Sequence, residues 1–598
     1  MASSAASAAS EPAGRSSVLL GSRAAGSCPV KTHHSHDQTS ALPDPEPGEV
    51  VVPAQLQHAR EVEARLVEAL IAAAPGLVVD LRLLADEPAT AVESCLRAMT
   101  VGAHVIIGGT LPADRVGRRI GRPDVLVRGV DSADGRPTYH PVEVQPHKVL
   151  LATSSRRTPP AAEDPPPPAV HTSTFADPRP LALEPLPGMV FRLRSRESDL
   201  LQLAHDVRLL AAAGFAPDTP LAAVIGTDTA TAEAPLLAWF DLSVPLVRTY
   251  SRSAPSGWRL RSVLERYDHE FALRLDVAAV ARQRTGAADD PAPLVQPVVC
   301  DECPRCPWWE RCRSELSEDD VSLRIGKGAL DVREVLALRR LGTGTVTALA
   351  AADLTTLLPD YLPQVTHRSG AEGRLRVASR RARMLQADEV FARETSGDIT
   401  FPGAEIEVDL DIESAADGRI YLWGFLLHDR RSDAPPDYSH VSAFTDLDEA
   451  DELDLAREAF GWLRDLVHQG RSVRVYHYSA YEPSAIRALA DRAPDDPLLA
   501  WAAAYAEAEF VDLYDVVKTH FFGVNGLGLK PIAQHAGFRW RDDDPGGLNS
   551  QAWFADAVHD ADASTRDQAR TRVLEYNEDD VTATHALRAW LRSPGPAR

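Results

Sequence analysis

The sequence predicts an α/β protein of several domains, on three observations. Its 598 residues exceed what one hydrophobic core usually organises. Proline-rich and polar breaks interrupt it near 155–180, 281–300 and 366–396. From 405 onward, strand-like and helix-like segments alternate in the order strand, strand, helix, strand, helix, strand and then several helices. At about 100 to 200 residues per domain, three or four domains are expected. The breaks delimit a disordered Ala/Ser-rich start over 1–17, a domain over 18–315, a helical connector over 316–396 and a last domain over 397–598.

Within the first domain, VEARLVEALIAA (62–73) and SDLLQLAHDVRLLAAAG (198–214) carry helical spacing, the second with a glycine stop. GRPDVLVRGV (121–130) and YHPVEVQ (139–145) read as a hairpin turning near Asp134 and Gly135. The stretch 155–180 contains PPPP and cannot continue a helix or a central strand, so it reads as a loop. In the connector, VLALRRLGTGTVTALAAADLTTLL (335–358) reads as two helices around LGTGT. This is either a helix-hairpin-helix, whose turn offers backbone N–H groups to a phosphate, or an ordinary helical hairpin. No short-period repeat is present.

A net charge of −23 argues against a chain that coats DNA non-specifically, while leaving room for a local basic groove. The sequence has no uninterrupted apolar run of about 18 residues, and its start has no basic segment leading into an apolar one. A cytoplasmic protein without membrane contact is therefore expected. With no GxxxxGK[ST] sequence, a helicase motor would be a separate partner.

Four of the six cysteines fall in CDECPRCPWWERC: Cys300, Cys303, Cys306 and Cys312. Such clustering in a cytosolic chain favours metal over disulfides. Cys303, Cys306 and Cys312 need a fourth ligand, either Cys300 or the distant Cys28, and four thiolates suit zinc or a [4Fe-4S] cluster alike. Cys95, inside AVESCLRAMT, reads as an ordinary buried residue. Trp308 and Trp309 are either base-stacking platforms or packing around the metal.

GRPD (121–124), PVEVQ (141–145), QLAHD (202–206) and the cysteine cluster, in that order, resemble the RecB-like nucleases of the PD-(D/E)xK superfamily, some of which carry an iron–sulfur cluster. The resemblance implies a restriction-endonuclease-like fold over roughly 18–315, with Cys28, Cys303, Cys306 and Cys312 holding [4Fe-4S] and Cys300 spare. It implies Asp124 and Glu143 as ligands of Mg²⁺ or Mn²⁺ against a scissile phosphate. Gln145 stands where the family has a lysine and cannot supply an ammonium. Lys148 can replace it only if Pro146 distorts the strand, because alternation puts 148 on the opposite face and His147 on the right one. Gln202 opens a QxxxY-like motif in which Asp206 stands at the tyrosine.

The last domain carries a fuller acidic set. In EIEVDLDIES (405–414), Asp411 and Glu413 are two apart and share one face of a strand. Glu482 lies where RVYHYSAYEPSAIRAL (474–489) passes from strand to helix, and Tyr576 and Asp580 of YNEDDV share a helix face. Several carboxylates can hold two divalent ions about 4 Å apart, and a tyrosine can orient the attacking water. These residues resemble the DEDD exonucleases of the RNase H-like superfamily, in particular the YprB-type domain. The resemblance implies Asp411, Glu413, Glu482 and Asp580 as metal ligands and Tyr576 beside them. His477 and Glu482 depart from the usual asparagine and aspartate of the second motif. Asp512 and Lys530 are either groups that touch substrate or a strand-end acid and a surface lysine.

The expected function is a metal-dependent 3′–5′ exonuclease on single-stranded or frayed DNA, in repair or recombination, whose RecB-like site is degenerate. The other readings are a non-catalytic DNA-end adaptor with a structural cluster, and a zinc protein acting on RNA.

Overall fold

A computed structural model describes residues 18–40, 54–152, 170–180, 183–192, 196–229, 235–251, 253–254, 257–542 and 546–593. The expected disordered start and residues 155–169 of the proline-rich loop lie outside them. The chain forms two compact units. The first runs to Leu323 and takes in Val332–Ala337 and Pro359–Ala371, and the second comprises Arg324–Asp331, Leu338–Leu358 and the chain from Glu372. The expected connector is thus shared between the two units. Its helices Val332–Arg340 and Val346–Ala351 flank a turn with Gly342 at φ +74°, a conformation that glycine adopts without strain.

The first unit contains an eight-stranded mixed sheet. At its centre, Val105–Ile107, Val125–Arg128 and Tyr139–Val144 form an antiparallel meander, and Leu221–Thr229 then lies parallel to Tyr139–Val144. The helix Glu197–Ala213 makes the crossover and stops at Gly214, which is left-handed with φ 80°. Every residue of Tyr139–Val144 is buried, so this strand has no solvent-exposed face. The expected hairpin is present, with Val125 opposite Val142, and Asp124 sits one residue before its first strand.

The second unit is built on a five-stranded sheet in the order Asp437–Ser442, Ile420–Asp429, Ile406–Ser414, Val473–His477, Phe510–Asp512. The strand Ile406–Ser414 pairs antiparallel with Ile420–Asp429 and parallel with Val473–His477. The edge strand Asp437–Ser442 is an addition to the expected order. It is polar and half exposed, so its sequence lacks the apolar alternation that marks a strand.

Alternation along Ile406–Ser414 governs this unit. Ile406, Val408, Leu410 and Ile412 enter a core with Phe460, Leu463 and Val475. Glu407, Asp409, Asp411 and Glu413 share the other face, toward the long helix Ala563–Arg592. That helix answers the first two acids with arginines. Arg588 Nη2 donates to Asp409 Oδ2 at 2.6 Å, Arg588 also pairs with Glu407, and Arg592 Nη2 donates to Glu407 Oε1 at 2.8 Å. Burial alone would raise the Glu407 carboxyl, but the Arg592 hydrogen bonds and the Arg588 charge outweigh it and hold Glu407 at about 2. The helix approaches closely because residue 424 is glycine: a Cβ there would lie 1.6 Å from Asn577 Oδ1.

Arg588, Glu407 and Asp409 are almost wholly buried, so Arg588→Met is expected to cost about 3 to 5 kcal/mol in urea unfolding at neutral pH by leaving buried carboxylates unpaired. A depressed carboxyl contributes stability above its ordinary 4.5 and loses it as pH falls through about 2, so the difference from wild type should narrow across that window.

Candidate active site

Where the acidic face of Ile406–Ser414 runs past the arginines, its carboxylates have different partners. Among the described residues, no hydrogen bond or ion pair joins an arginine to Asp411 or Glu413. Instead, one carboxylate oxygen each from Asp411, Glu413 and Asp580 lies within 4.8 Å of the others. Asp580 comes from the helix Ala563–Arg592, four residues after Tyr576, so the expected shared face is present.

Neutral donors hold this group in place. Asn577 Nδ2 donates to Asp411 Oδ2 at 2.8 Å, and Tyr438 donates its hydroxyl to Asn577 Oδ1 at 2.9 Å. Ser550 Oγ donates to Glu413 Oε2 at 2.5 Å, and Trp540 Nε1 donates to Asp580 Oδ1 at 2.7 Å. Sequence reading missed Asn577, Ser550, Trp540 and Tyr438. Only Asn577, inside YNEDDV and one residue after Tyr576, lay in a motif that could have marked it.

Burial, and then the charges of Asp580, Glu413 and Glu482, push the Asp411 carboxyl well above its ordinary value. Burial and then Asp580 push Glu413 up to about 8, and burial raises Asp580. Oxygen-only donors at this spacing suit a hard divalent cation such as Mg²⁺ or Mn²⁺. Glu482 is outside the 4.8 Å group but near enough to act on Asp411. It is 3% exposed, 3.5 Å from His477 Nδ1, and its Oε2 has no hydrogen-bond partner.

Tyr576 and Lys530 form a pair beside the carboxylates. Lys530 Nζ donates to the Tyr576 hydroxyl oxygen at 2.7 Å. Of the two accessories, Lys530 therefore belongs to the site. Asp512 Oδ1 accepts from the backbone of Ser479 at 2.9 Å and of Tyr514 at 2.8 Å, which makes it the strand-end acid.

In the first unit, Asp124, Glu143 and Asp206 meet. Asp124 Oδ2 accepts from Val144 N at 2.9 Å, and the charges of Asp124 and Asp206 act on Glu143. Burial first, then Asp124 and Asp206, drives the Glu143 carboxyl well up. Gln202 lies one helical turn before Asp206. The strand ends at Val144, so alternation does not extend to Lys148. The chain bends at Pro146 and His147, Gln145 donates its backbone N–H to Ile225, and Lys148 is exposed. The same bend turns His147 to Asp199, at 3.0 Å, instead of leaving it on the strand's inner face.

Cys28, Cys300, Cys303, Cys306 and Cys312 line one recess. Cys300, the expected spare, is inside it: its Sγ is 3.8 Å from that of Cys303. Cys312 contacts His34 Nε2 at 3.5 Å. Trp308 is buried against the His34 ring and Trp309 lines the recess, which is the packing role. Among the described residues, no set of three thiols closes to within 4.8 Å. Cys95 is fully buried in the helix Pro88–Thr100.

No described helix is long and apolar enough to cross a membrane. No curated protein and no solved structure matches the chain. Residues 408–592 match the family model of the RNase H superfamily. The C-terminal domain is therefore RNase H-like, of a fold that works with divalent metals, and it points to a nuclease or hydrolase in general.

Proposed function

We propose that this chain is a metal-dependent 3′–5′ exonuclease acting on single-stranded or frayed DNA, with its chemistry in the C-terminal unit. One observation carries the reading: Asp411, Glu413 and Asp580 converge within 4.8 Å on the acidic face that arginines neutralise everywhere else. Asp411, Glu413 and Asp580, with Glu482 alongside, are the residues that would hold the ions. Bound there, divalent ions would stabilise the attacking and leaving oxygens of phosphodiester hydrolysis. Tyr576, fixed through its oxygen by Lys530, orients the water, and its burial keeps the hydroxyl protonated as a donor. An exonuclease channel that tracks backbone and stacks bases needs little sequence readout.

The first unit serves in this reading as a RecB-like platform for DNA ends in repair or recombination, working with a separate motor. The order meander, helix, parallel strand supports the assignment, and the neutral Gln145 with the exposed Lys148 supports a site that binds without cutting. The cysteine recess takes a [4Fe-4S] cluster. Tetrahedral zinc with Zn–S near 2.3 Å needs thiols about 3.8 Å apart, closer than three of these thiols come.

On end-labelled single-stranded DNA with Mg²⁺ or Mn²⁺, Asp411→Ala should lower the rate by about 100-fold or more, some 2.7 kcal/mol, while Asp124→Ala stays within a few-fold of wild type. Loss with Asp124→Ala alone would move the chemistry to the first unit, and inactive wild type would leave the adaptor.

A carboxyl raised in the folded state favours folding below its ordinary 4.5 and loses that contribution as pH rises through about 8, as Glu413 does. The melting temperature of metal-free protein should therefore fall over that range, Mg²⁺ should restore it, and Glu413→Gln should flatten the profile. Anaerobically purified protein should contain iron and sulfide and absorb near the visible blue, and Cys306→Ser should lose both metal and colour; stoichiometric zinc in their place would exclude the cluster.

A further inference from the structure

Against a net charge of −23, positive charge gathers on one helix whose arginines all belong to the second unit. The helix Ala371–Gln386, AEGRLRVASRRARMLQ, carries five arginines and one acid, and Leu375, Ala378 and Ala382 bury its apolar side. Four of the arginines have partners. Arg376 pairs with Glu372, and Arg380 holds both oxygens of Glu394. Arg383 donates to Ser379 Oγ at 2.9 Å, and Arg374 to the backbone oxygen of Ala329 at 2.5 Å.

Arg381 is the exception. It is 8% exposed, its Nε is buried, and among the described residues no hydrogen bond or ion pair reaches its guanidinium. Its Cζ lies 5.1 Å from the centroid of the Phe522 ring, and that of Arg380 lies 4.0 Å from the same centroid. A ring face attracts a cation but supplies no acceptor for its N–H groups. Burying a guanidinium on these terms is costly unless something else accepts from it.

A further cation arrives from a distant segment. Lys327, exposed between Gly326 and Gly328, runs along Gly526, where a Cβ would stand 3.1 Å from its Cε. Gly328 passes equally close to the arginine: a Cβ there would lie 3.0 Å from Arg381 Nη1, and its φ is +58°, which glycine adopts without strain. Lys327 and Arg381 therefore meet around the segment from Phe522 to Gly526, where Glu394 is already taken by Arg380. The same segment leads to Lys530, which holds Tyr576, and eight residues span at most about 29 Å. Phe521 also shares a core with Ile532 and Leu587, so the cations and the carboxylates are fixed to one framework.

We propose that Arg381 and Lys327 form a binding site for the backbone phosphates of single-stranded DNA, which holds the strand whose end enters the C-terminal carboxylates. A phosphate offers the acceptors that the fold withholds from Arg381, in a geometry that suits a guanidinium fork. The choice of DNA rests on the exonuclease reading, whereas the anion site rests on the cations themselves.

Affinity of the full chain for end-labelled oligo(dT), read by fluorescence anisotropy over a salt series in EDTA so that nothing is cut, tests the site. Arg381→Met should weaken binding about tenfold at low salt and reduce the slope of log affinity against log salt by about 0.7, the loss of one phosphate contact on a single strand. Its melting temperature should be no lower than that of wild type, because a buried cation without acceptors is removed. Lys327→Ala, at an exposed position, is the second variant should Arg381→Met fail to fold, and its salt slope should fall by the same amount. Affinity and slope unmoved by both substitutions, or no DNA binding by wild type, overturns the proposal and leaves Arg381 as packing on Phe522. DNA binding that depends on these residues in a protein that cuts nothing with Mg²⁺ or Mn²⁺ would uphold the site and overturn the exonuclease reading alone. Tighter binding of RNA of matching length, lost alike in Arg381→Met, overturns the assignment to DNA.

Discussion

Four carboxylates on one face of a central strand are the constraint around which the C-terminal unit is arranged. Glu407, Asp409, Asp411 and Glu413 follow one another at strand period, and the apolar residues between them form the core. Burying like charges in a row is unfavourable unless each is paired. The helix Ala563–Arg592 resolves this along its length: near its C-terminal end Arg588 and Arg592 neutralise Glu407 and Asp409, and further back Asp580 adds a negative charge to Asp411 and Glu413. One helix thus completes a structural ion pair and an unneutralised acidic pocket on the same strand. The close contact at Gly424 fixes their spacing, because it seats Asn577 between Tyr438 and Asp411.

The neutral hydrogen bonds around the pocket follow from the same constraint. A lysine or arginine placed on Asp411 or Glu413 would stabilise the metal-free fold and compete with a cation. Ser550, Asn577 and Trp540 orient one oxygen on each acid without removing its charge. Lys530, the cation beside the site, is directed to the Tyr576 oxygen. It lowers the cost of the acidic group through space while leaving the carboxylate oxygens to other ligands.

Much of this was legible in the sequence because it rests on short-range periodicity. The spacing of Asp411 and Glu413, the four-residue step from Tyr576 to Asp580, and the glycine stop at 214 are local facts that a strand or helix turns directly into geometry. What was hidden depends on contacts across long separations. Ser550 reaches Glu413 from 137 positions away, and Asn577 reaches Asp411 from 166, with no spacing rule to announce either. Lys148 shows the limit of period alone. Alternation assigned it a face, but Pro146 ends the strand before that assignment applies. The edge strand Asp437–Ser442 was missed for a related reason, since edge strands lack the buried face that writes a pattern into the sequence.

The two acidic centres also differ in how each one's missing charge can be supplied. In the C-terminal unit, Tyr576 and Lys530 stand beside the carboxylates, so a donor for water and a positive charge accompany the ligands. In the first unit, the expected lysine is Gln145 and the expected tyrosine is Asp206, so both substitutions change the local charge in the negative direction. Losing an ammonium while gaining a carboxylate deepens the need for a cation and, with it, removes the group that would assist a nucleophile. The two departures therefore act together: both make the cluster more negative, and both take away a group that could assist a nucleophile.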